Sequence, residues 1–369
     1  MTARRRPMGV MAFALAASLL SWPALADIRI AVAGPITGSS AVFGAQMREG
    51  AEQAVADINA QGGVLGQKIV LQVADDACDP KQAVAVANRL AEDGVVFVAG
   101  HYCSGSSIPA SKVYAESGVL EISPASASNN FTDGGDWNTF RTCGRDDLQG
   151  KFAGRAIAAE FAGKSVAILH DNTSFGREVA EETQHAMNAA GLKEALFTAY
   201  SPEDYDFSAL ISRLKAAKID VVYIGGFHQS AGLMVRQARE QGFAGQFLGP
   251  STMQTKELWK IGGPAIEGFR HAFYPDPRSR PSVGSVAAAF AARHVDPEGF
   301  TLYTYAAVQV WAEAATRAGT TAGRKVADTL KAAGPWPSVL GDLSFDAKGD
   351  PVSVAYVWYV WHDGTYHPM

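Results

Sequence analysis

The stretch IRIAVAGPITG, residues 28–38, decides the fold class of this chain of 369 residues. Its apolar run Ile28–Ala33 predicts a buried strand, and the Gly, Pro and Thr residues after it predict a turn at the carboxyl end of that strand. A helical pattern follows at Met47–Ala60, and a second apolar run at Ile69–Val73. Strand, helix and strand in this order form a β-α-β unit, which predicts a parallel sheet covered by helices.

The same alternation continues along the chain. Further strands are predicted at Val95–Ala99, Val119–Ile122, Val166–Leu169, Val221–Ile224 and Gln246–Leu248. Predicted helices are Pro80–Glu92, Ile108–Glu116, Arg177–Ala190, Phe207–Ala217, Ala231–Gln241, Val283–Arg293, Leu302–Ala318 and Thr321–Ala333. A last strand, Val354–Trp361, is far in sequence from its expected partners. The chain is therefore expected to form two lobes and to cross between them more than once. The fold class is therefore α/β, with two doubly wound parallel-sheet lobes joined by several strands.

The first 26 residues have the pattern of a secretory signal peptide. Arg4–Arg6 precede an apolar segment, Gly9–Leu20, which is short of the ~20 residues that span a membrane. Ala24–Ala26 gives the small-x-small pattern of a cleavage site, which predicts cleavage after Ala26 and export. Without this segment, which carries three arginines and no acidic residue, the net charge of −5 becomes −8. Such an acidic chain lacks the basic surface of a nucleic-acid-binding protein.

Three cysteines remain in the exported part of the chain: Cys78, Cys103 and Cys143. In an oxidising compartment two of them are expected to form a disulfide. Cys78 and Cys103 both follow predicted strands and would lie at the same edge of a sheet, so they are the predicted pair. Cys143 is then predicted to be a buried free thiol. No CxxC or HxxxH spacing occurs, so no metal site is predicted.

The sequence lacks the signatures of common enzymes. No GxSxG surrounds a serine, and no GxGxxG follows the first strand. The turn Gly163–Ser165 precedes a strand, whereas a phosphate-binding loop would follow one. His101 and His228 follow strands but have no evident partner in sequence, and we interpret them as structural histidines with satisfied hydrogen bonds. We therefore expect a protein that is not an enzyme and needs no cofactor.

The segment Ser104–Ser107 leaves a strand and enters a helix. Hydroxyl groups together with unpaired backbone N–H groups at the positive end of a helix suit a carboxylate or a phosphate without any charged side chain. The alternative is that a serine here only caps the helix. Local sequence leaves both interpretations open.

Several stretches resemble the periplasmic leucine/isoleucine/valine-binding proteins, and the likeness covers nearly all of the exported chain. They are residues 27–34 (DIRIAVAG), 50–60 (GAEQAVADINA), 75–84 (DDACDPKQAV) and 100–104 (GHYCS). The resemblance implies a type I periplasmic binding protein, in which two α/β lobes joined by a three-strand hinge close on a ligand. The implied lobes are residues 27–145 with 274–353, and residues 146–273 with 354–369.

The resemblance also implies a function and a disulfide. A small carboxylate-bearing solute, either an amino acid or another carboxylic acid, would be captured in the periplasm by a monomer and passed to the permease of an ABC importer. The alternative is a ligand-sensing receptor subunit on the same fold. Cys78 and Cys103 match the disulfide of the family.

The binding residues of the family carry over unevenly. Ser104 matches the hydroxyl that holds the ligand carboxylate, and Ala125 matches the position whose backbone groups contact the ligand. Ala127 stands where the family has a threonine that contacts both ends of the ligand. Ser126 and Ser128 flank it, so a small register shift would restore a hydroxyl.

The remaining pocket positions are less polar than in the family. Three positions that are tyrosine in the branched-chain amino-acid binders are phenylalanine here: Phe43, Phe175 and Phe227. Ser251 stands where those proteins have a glutamate that pairs with the ligand ammonium. Losing such an acceptor costs roughly a factor of 10² in affinity, so the pocket is expected to suit a carboxylate with an apolar or aromatic body. A relocated acceptor for an amino group would come from Asp146, Asp147 or Asp171.

Overall fold

The computed structural model describes residues 26–369 and the isolated Thr2. The predicted signal peptide therefore lies almost wholly outside the described residues. The first sheet is fully parallel, with the spatial order β2-β1-β3-β4-β5. Its strands are β1 (Ile28–Gly34), β2 (Ile69–Asp75), β3 (Phe97–Gly100), β4 (Leu120–Ser123) and β5 (Thr139–Arg141).

The second sheet has the order β12-β11-β10-β9-β8-β6-β7. Its strands are β6 (Val166–His170), β7 (Leu196–Ala199), β8 (Val221–Gly225), β9 (Gln246–Gly249), β10 (Arg270–Phe273), β11 (Val357–His362) and β12 (Thr365–Pro368). Strands β6 to β10 are parallel, whereas β11 runs antiparallel to both β10 and β12. The chain thus ends in a hairpin at the edge of an otherwise parallel sheet.

Helices cover both faces of each sheet. In the first half of the chain they are α1 (Ala41–Ala60), α2 (Pro80–Glu92), α3 (Ser104–Ser117), α4 (Asn130–Asp133), α5 (Asp146–Glu160) and α6 (Ser174–Ala189). In the second half they are α7 (Ser208–Ala216), α8 (His228–Glu240), α9 (Glu257–Gly262), α10 (Gly284–Ala292), α11 (Thr301–Ala318) and α12 (Gly323–Ala332). Separate apolar cores lie on the two faces of each sheet, as expected for a doubly wound fold.

The start of α2 is an example of a boundary that the sequence determines. The Asp79 carboxylate accepts a hydrogen bond from the backbone N–H of Gln82 at 2.7 Å, and Pro80 occupies the first helical position. Both residues are typical of helix starts, because a cap satisfies a free N–H and proline lacks one. The observed helix has the predicted bounds.

The chain crosses three times between the two sheets. It leaves the first sheet after β5 and enters the second through α5 and β6. After β10 it returns to the first sheet, where α11 packs against α1 and β3, and it crosses again before β11. The three-strand hinge is therefore confirmed, while the residue bounds given above for the lobes stay a proposal.

Several elements were not predicted from the sequence: β5, β7, β10, β12, α4, α5 and α9. Strand β5 has only three residues, and β7 and β12 lie at sheet edges with partly exposed side chains, so they lack a long apolar run. Helix α1 begins six residues earlier than predicted, at Ala41. The predicted final strand is shorter, beginning at Val357, and it pairs with β12.

The predicted disulfide and the free thiol are both present. Cys78 and Cys103 are bonded, and Cys143 is buried and unpaired. Burial raises the pKa of the Cys143 thiol to about 12, so it stays protonated at neutral pH.

Removing the disulfide is expected to destabilise the chain. Because the bond closes a loop with a sequence separation of 25, its loss in Cys78→Ser/Cys103→Ser should lower the free energy of unfolding by about 3 kcal/mol. Urea unfolding followed by circular dichroism measures this, with the oxidised wild-type protein as reference. An unchanged unfolding midpoint in the double variant would contradict the prediction.

Candidate functional site

The carboxyl ends of the two sheets face each other, and most of the predicted binding residues lie between them. Phe43 on α1 stacks on Tyr102 with ring centroids 4.5 Å apart, and Tyr102 lies 6.2 Å from Phe227 at the end of β8. Ala127 packs against Phe175 in the first turn of α6. Side chains from both sheets therefore touch across one cleft, and the structure represents a closed form.

Ser104 is the first residue of α3 and is buried. Its hydroxyl oxygen accepts a hydrogen bond from the backbone N–H of Ser128 at 3.2 Å, so the hydroxyl proton remains available for a ligand oxygen. The N-cap residue is Cys103, not a serine, and no side chain caps the helix. Simple capping by a serine is therefore the wrong interpretation, and Ser104 instead offers a donor beside a positive helix end.

The β4–α4 loop, residues 124–129, carries three predicted binding residues: Ala125, Ser126 and Ala127. The hydroxyl of Ser126 lies 2.5 Å from that of Ser107, within the first sheet's own packing. The hydroxyl of Ser128 donates to the carboxylate of Glu178 on α6. Both hydroxyls are engaged elsewhere, so the suggested register shift does not restore the threonine hydroxyl of the family.

A buried arginine fixes the backbone of the β4–α4 loop. Arg141 on β5 is fully buried and donates to the carbonyl oxygens of Ser126 at 2.7 Å and Ser128 at 3.0 Å. Its Nε lies 2.6 Å from a carboxylate oxygen of Asp350, and Arg145 donates to the other oxygen at 2.8 Å. The loop is therefore held by an ion pair that is distant in sequence.

Three further aromatic side chains lie in the cleft and are not among the predicted binding residues: Tyr102, His228 and Phe300. His228 meets the edge of Phe43 at 5.1 Å, and Tyr102 meets Phe300 edge-on at 5.3 Å. Tyr102 belongs to the stretch GHYCS, residues 100–104, that resembles the family. Together with the phenylalanines, these residues make the cleft strongly aromatic.

The two histidines at strand ends differ. His101 is satisfied as predicted, because its ring nitrogens lie 2.6 Å from an oxygen of Asp76 and 3.0 Å from the hydroxyl of Tyr114. The prediction is wrong for His228, whose buried Nδ1 has no hydrogen-bond partner among residues 26–369. Burial lowers the pKa of His228 to about 4, so the ring is neutral at neutral pH.

Helix α5 contacts Ser251 and Ala127, the two positions at which the sequence resemblance predicts the loss of an ammonium partner. Gln149 accepts a hydrogen bond from the backbone N–H of Ser251 at 2.8 Å, and Asp146 donates its own N–H to the carbonyl of Ala127 at 2.8 Å. Asp146 is fully buried, and within the described part of the chain neither of its carboxylate oxygens has a hydrogen-bond partner. Burial, with the nearby charge of Glu178, raises the pKa of Asp146 well above its ordinary value.

The other two candidate aspartates have different surroundings. Asp147 is partly exposed and pairs with Arg145 at 3.2 Å. Asp171 is buried, and one of its oxygens accepts hydrogen bonds from the N–H and the hydroxyl of Thr173. Burial raises the pKa of Asp171 to about 6. Asp146 and Asp147 both contact the β4–α4 loop through backbone N–H groups, which donate to the carbonyl of Ala127 at 2.8 Å and to the side-chain oxygen of Asn129 at 3.3 Å. Of the three aspartates, only Asp146 has both carboxylate oxygens buried without a hydrogen-bond partner among residues 26–369.

One group of side chains in the described chain is close enough to share a metal ion. It consists of His362 and Asp363 at the β11–β12 hairpin and of Glu267, which precedes β10, and all three are exposed. Exposed acidic groups of this kind are common on protein surfaces, so no role is assigned to them.

A family model described as "Periplasmic binding protein" matches residues 27–365. The chain belongs to the periplasmic binding protein family. Within the described residues of this periplasmic binding protein, no helix combines the length and apolarity needed to cross a membrane.

Known relatives lie among the leucine/isoleucine/valine-binding proteins, as the sequence resemblance predicts. The Leu/Ile/Val-binding protein homolog 1 of Brucella suis biovar 1 is 47% identical, over 93% of this chain and 92% of the relative. The branched-chain amino acid transporter substrate-binding protein LivJ of Streptococcus pneumoniae, solved with isoleucine, is 23% identical with a TM-score of 0.85, covering 93% of this chain and 99% of that one. A solute-binding protein of an R. palustris ABC transporter, solved with benzoate, is 20% identical with a TM-score of 0.82, covering 93% and 96%. These two structures confirm the fold.

Proposed function

We propose that this protein captures a small carboxylate-bearing molecule between its two sheets in the periplasm and delivers it to the permease of an ABC importer. The observation that carries the proposal is the placement of Ser104. Its hydroxyl oxygen already accepts the N–H of Ser128, so its proton is available for a different acceptor. The name of the 47% identical relative, a leucine/isoleucine/valine-binding protein homologue, supports the binding of a small solute.

The proposed mechanism is ligand-driven closure. Ser104 and the N-terminus of α3 hold the carboxylate on the side of the first sheet. Phe175 and Phe227, whose ring centroids are 5.6 Å apart, then pack on the apolar body from the second sheet. A ligand that contacts both sides binds the closed form more tightly and shifts the equilibrium toward it. The permease recognises the closed surface.

The other end of the ligand is proposed to need no amino group. Ala127 has a methyl group where the family has a hydroxyl, and Ser251 has no carboxylate. Among residues 26–369, both carboxylate oxygens of Asp146 are buried without a hydrogen-bond partner, and its backbone N–H binds the carbonyl of Ala127. An amino acid would depend on that carboxylate, whereas an aromatic or branched carboxylic acid would not.

A panel of matched compounds tests both parts of this proposal by thermal shift. The pairs are phenylalanine with 3-phenylpropanoate and leucine with 4-methylpentanoate, with γ-aminobutyrate, 4-methyl-2-oxopentanoate and benzoate added and benzamide as the neutral control. A ligand at a hundred times its Kd stabilises by about 2.7 kcal/mol. We expect at least one carboxylate to raise Tm. Within that pair, the amine-free acid should raise Tm by at least as much as the amino acid does. Benzamide should leave Tm unchanged.

Asp146→Asn separates the remaining outcomes. Loss of amino-acid binding in this variant, together with strong stabilisation of the wild type by leucine alone, would assign Asp146 as the relocated acceptor and refute the amine-free ligand. Stabilisation by benzamide equal to that by benzoate would refute the carboxylate anchor itself.

A further inference from the structure

Glu178 on α6 joins the two sides of the cleft. Its two carboxylate oxygens accept hydrogen bonds from the hydroxyl of Ser128 and from the backbone N–H of Asn129, the latter at 2.9 Å. Ser128 and Asn129 follow β4 of the first sheet, whereas α6 follows β6 of the second. These bonds therefore exist only while the cleft is closed.

Ser128 also connects Glu178 to the proposed carboxylate anchor. Its N–H donates to the Ser104 hydroxyl, and its own hydroxyl donates to Glu178. Ser128 thus orients the Ser104 hydroxyl through its backbone and binds the opposite lobe through its side chain. Glu178 lies three residues after Phe175 on the same helix. The Phe175 side chain, which lines the cleft, therefore moves together with the contact between Glu178 and Ser128.

We propose that Glu178 is a latch: it stabilises the closed form and positions the β4–α4 loop through Ser128 and Asn129, without touching the ligand. Hydrogen bonds to an ionised acceptor are stronger than those between neutral groups. The latch therefore sets how long the closed form lasts for any ligand that the cleft accepts. The effect of the latch on a bound ligand rests on the proposed function. Its effect on closure is a property of the ligand-free chain.

A second set of contacts closes the cleft elsewhere. Lys256, which follows β9, pairs with Asp296 at 2.6 Å, and the hydroxyl of Tyr366 on β12 donates to Glu298 at 3.2 Å. Lys256 and Asp296 are both substantially exposed, and exposed ion pairs contribute little. The contact of Glu178, which is more buried and is made with two donors, is expected to dominate.

The geometry of the closed form provides a reporter for the latch. A Cβ placed on Gly105 of α3 would lie 3.6 Å from the Ser174 hydroxyl oxygen at the start of α6. A Gly105→Cys/Ser174→Cys pair should therefore form a disulfide only in the closed form, since such bonds need close approach. The rate of oxidative cross-linking without ligand, followed by mass spectrometry of the joined peptides, measures the closed population even when it is small.

In this background Glu178→Ala is expected to slow cross-linking roughly tenfold, because it removes two charge-assisted hydrogen bonds. Ser128→Ala should slow it less, and the double variant should be no slower than Glu178→Ala alone, since both changes remove the same contact. Glu181→Gln is the matched control: Glu181 lies on the same helix but pairs with Arg177 within one lobe, so its substitution should leave the rate unchanged. Circular dichroism and Tm verify that each variant is folded.

The outcomes separate the latch from the ligand-binding proposal. Cross-linking of Glu178→Ala at the parent rate, or fully additive effects of the two substitutions, would overturn the latch. The compounds of the thermal-shift panel, each added to the parent cysteine pair, test the proposed function separately. If no compound of the panel speeds cross-linking while Glu178→Ala still slows it, the latch stands and the proposed ligand class fails.

Discussion

Replacing Asp350 by alanine is expected to destabilise the folded chain by about 3–5 kcal/mol, the largest single effect on stability that we predict. The substitution leaves the guanidinium of Arg141 buried without its carboxylate, which lies 2.6 Å away in the native protein. A buried charge that loses its partner retains the cost of desolvation but loses the attraction that offset it. Arg145 loses the same partner, at 2.8 Å.

Urea unfolding measures this effect, and Glu313→Ala is the control. Glu313 pairs with Arg317 at 3.2 Å on the exposed face of α11, so its loss should cost at most about 1 kcal/mol. The loss of unfolding free energy in Asp350→Asn should lie between the losses in Asp350→Ala and Glu313→Ala, because an amide still accepts a hydrogen bond but carries no charge. Equal unfolding midpoints for Asp350→Ala and Glu313→Ala would show that the buried pair does not stabilise the fold.

Ser104→Ala is expected to lower ligand affinity roughly tenfold to a hundredfold, because a hydrogen bond to a charged group contributes about 1.5–3 kcal/mol. The helix N-terminus remains, so binding is weakened but not abolished. Calorimetric titration with the carboxylate that gives the largest thermal shift measures the change in Kd. Unchanged affinity would remove Ser104 from the site.

Ser111→Ala is the matched control for Ser104→Ala. Ser111 lies about two turns further along the same helix and is buried, and its hydroxyl donates to the carbonyl of Ile108 at 2.9 Å. Losing this hydroxyl is expected to leave Kd unchanged. A comparable loss of affinity in both variants would indicate a general disturbance of α3 and not a specific contact at Ser104.

The features that the sequence predicted are local ones. The strand of residues 28–34 and the capped start of α2 depend on residues that are neighbours in sequence, so periodicity and capping rules identify them. The Cys78–Cys103 pair required only that two parallel strands end at the same edge of a sheet. Short edge strands such as β7 carry no comparable signal.

The features that the sequence could not predict depend on segments that are distant along the chain. Arg141 and Asp350 meet only because the chain returns to the first sheet after β10. Tyr102 and His228 become cleft residues only when the two lobes close. The contact of Ser128 with Glu178 also belongs to the closed form, and nothing in either local segment indicates it.

The central claim is that the cleft holds one small carboxylic acid anchored at Ser104. The most direct test is the accurate mass of the molecule released by denaturing protein that was purified from the periplasm without dialysis. The account predicts a single small carboxylic acid with an apolar or aromatic body, present in wild-type protein and depleted in Ser104→Ala. A bound molecule without a carboxyl group, or equal retention of the molecule by both proteins, would contradict it.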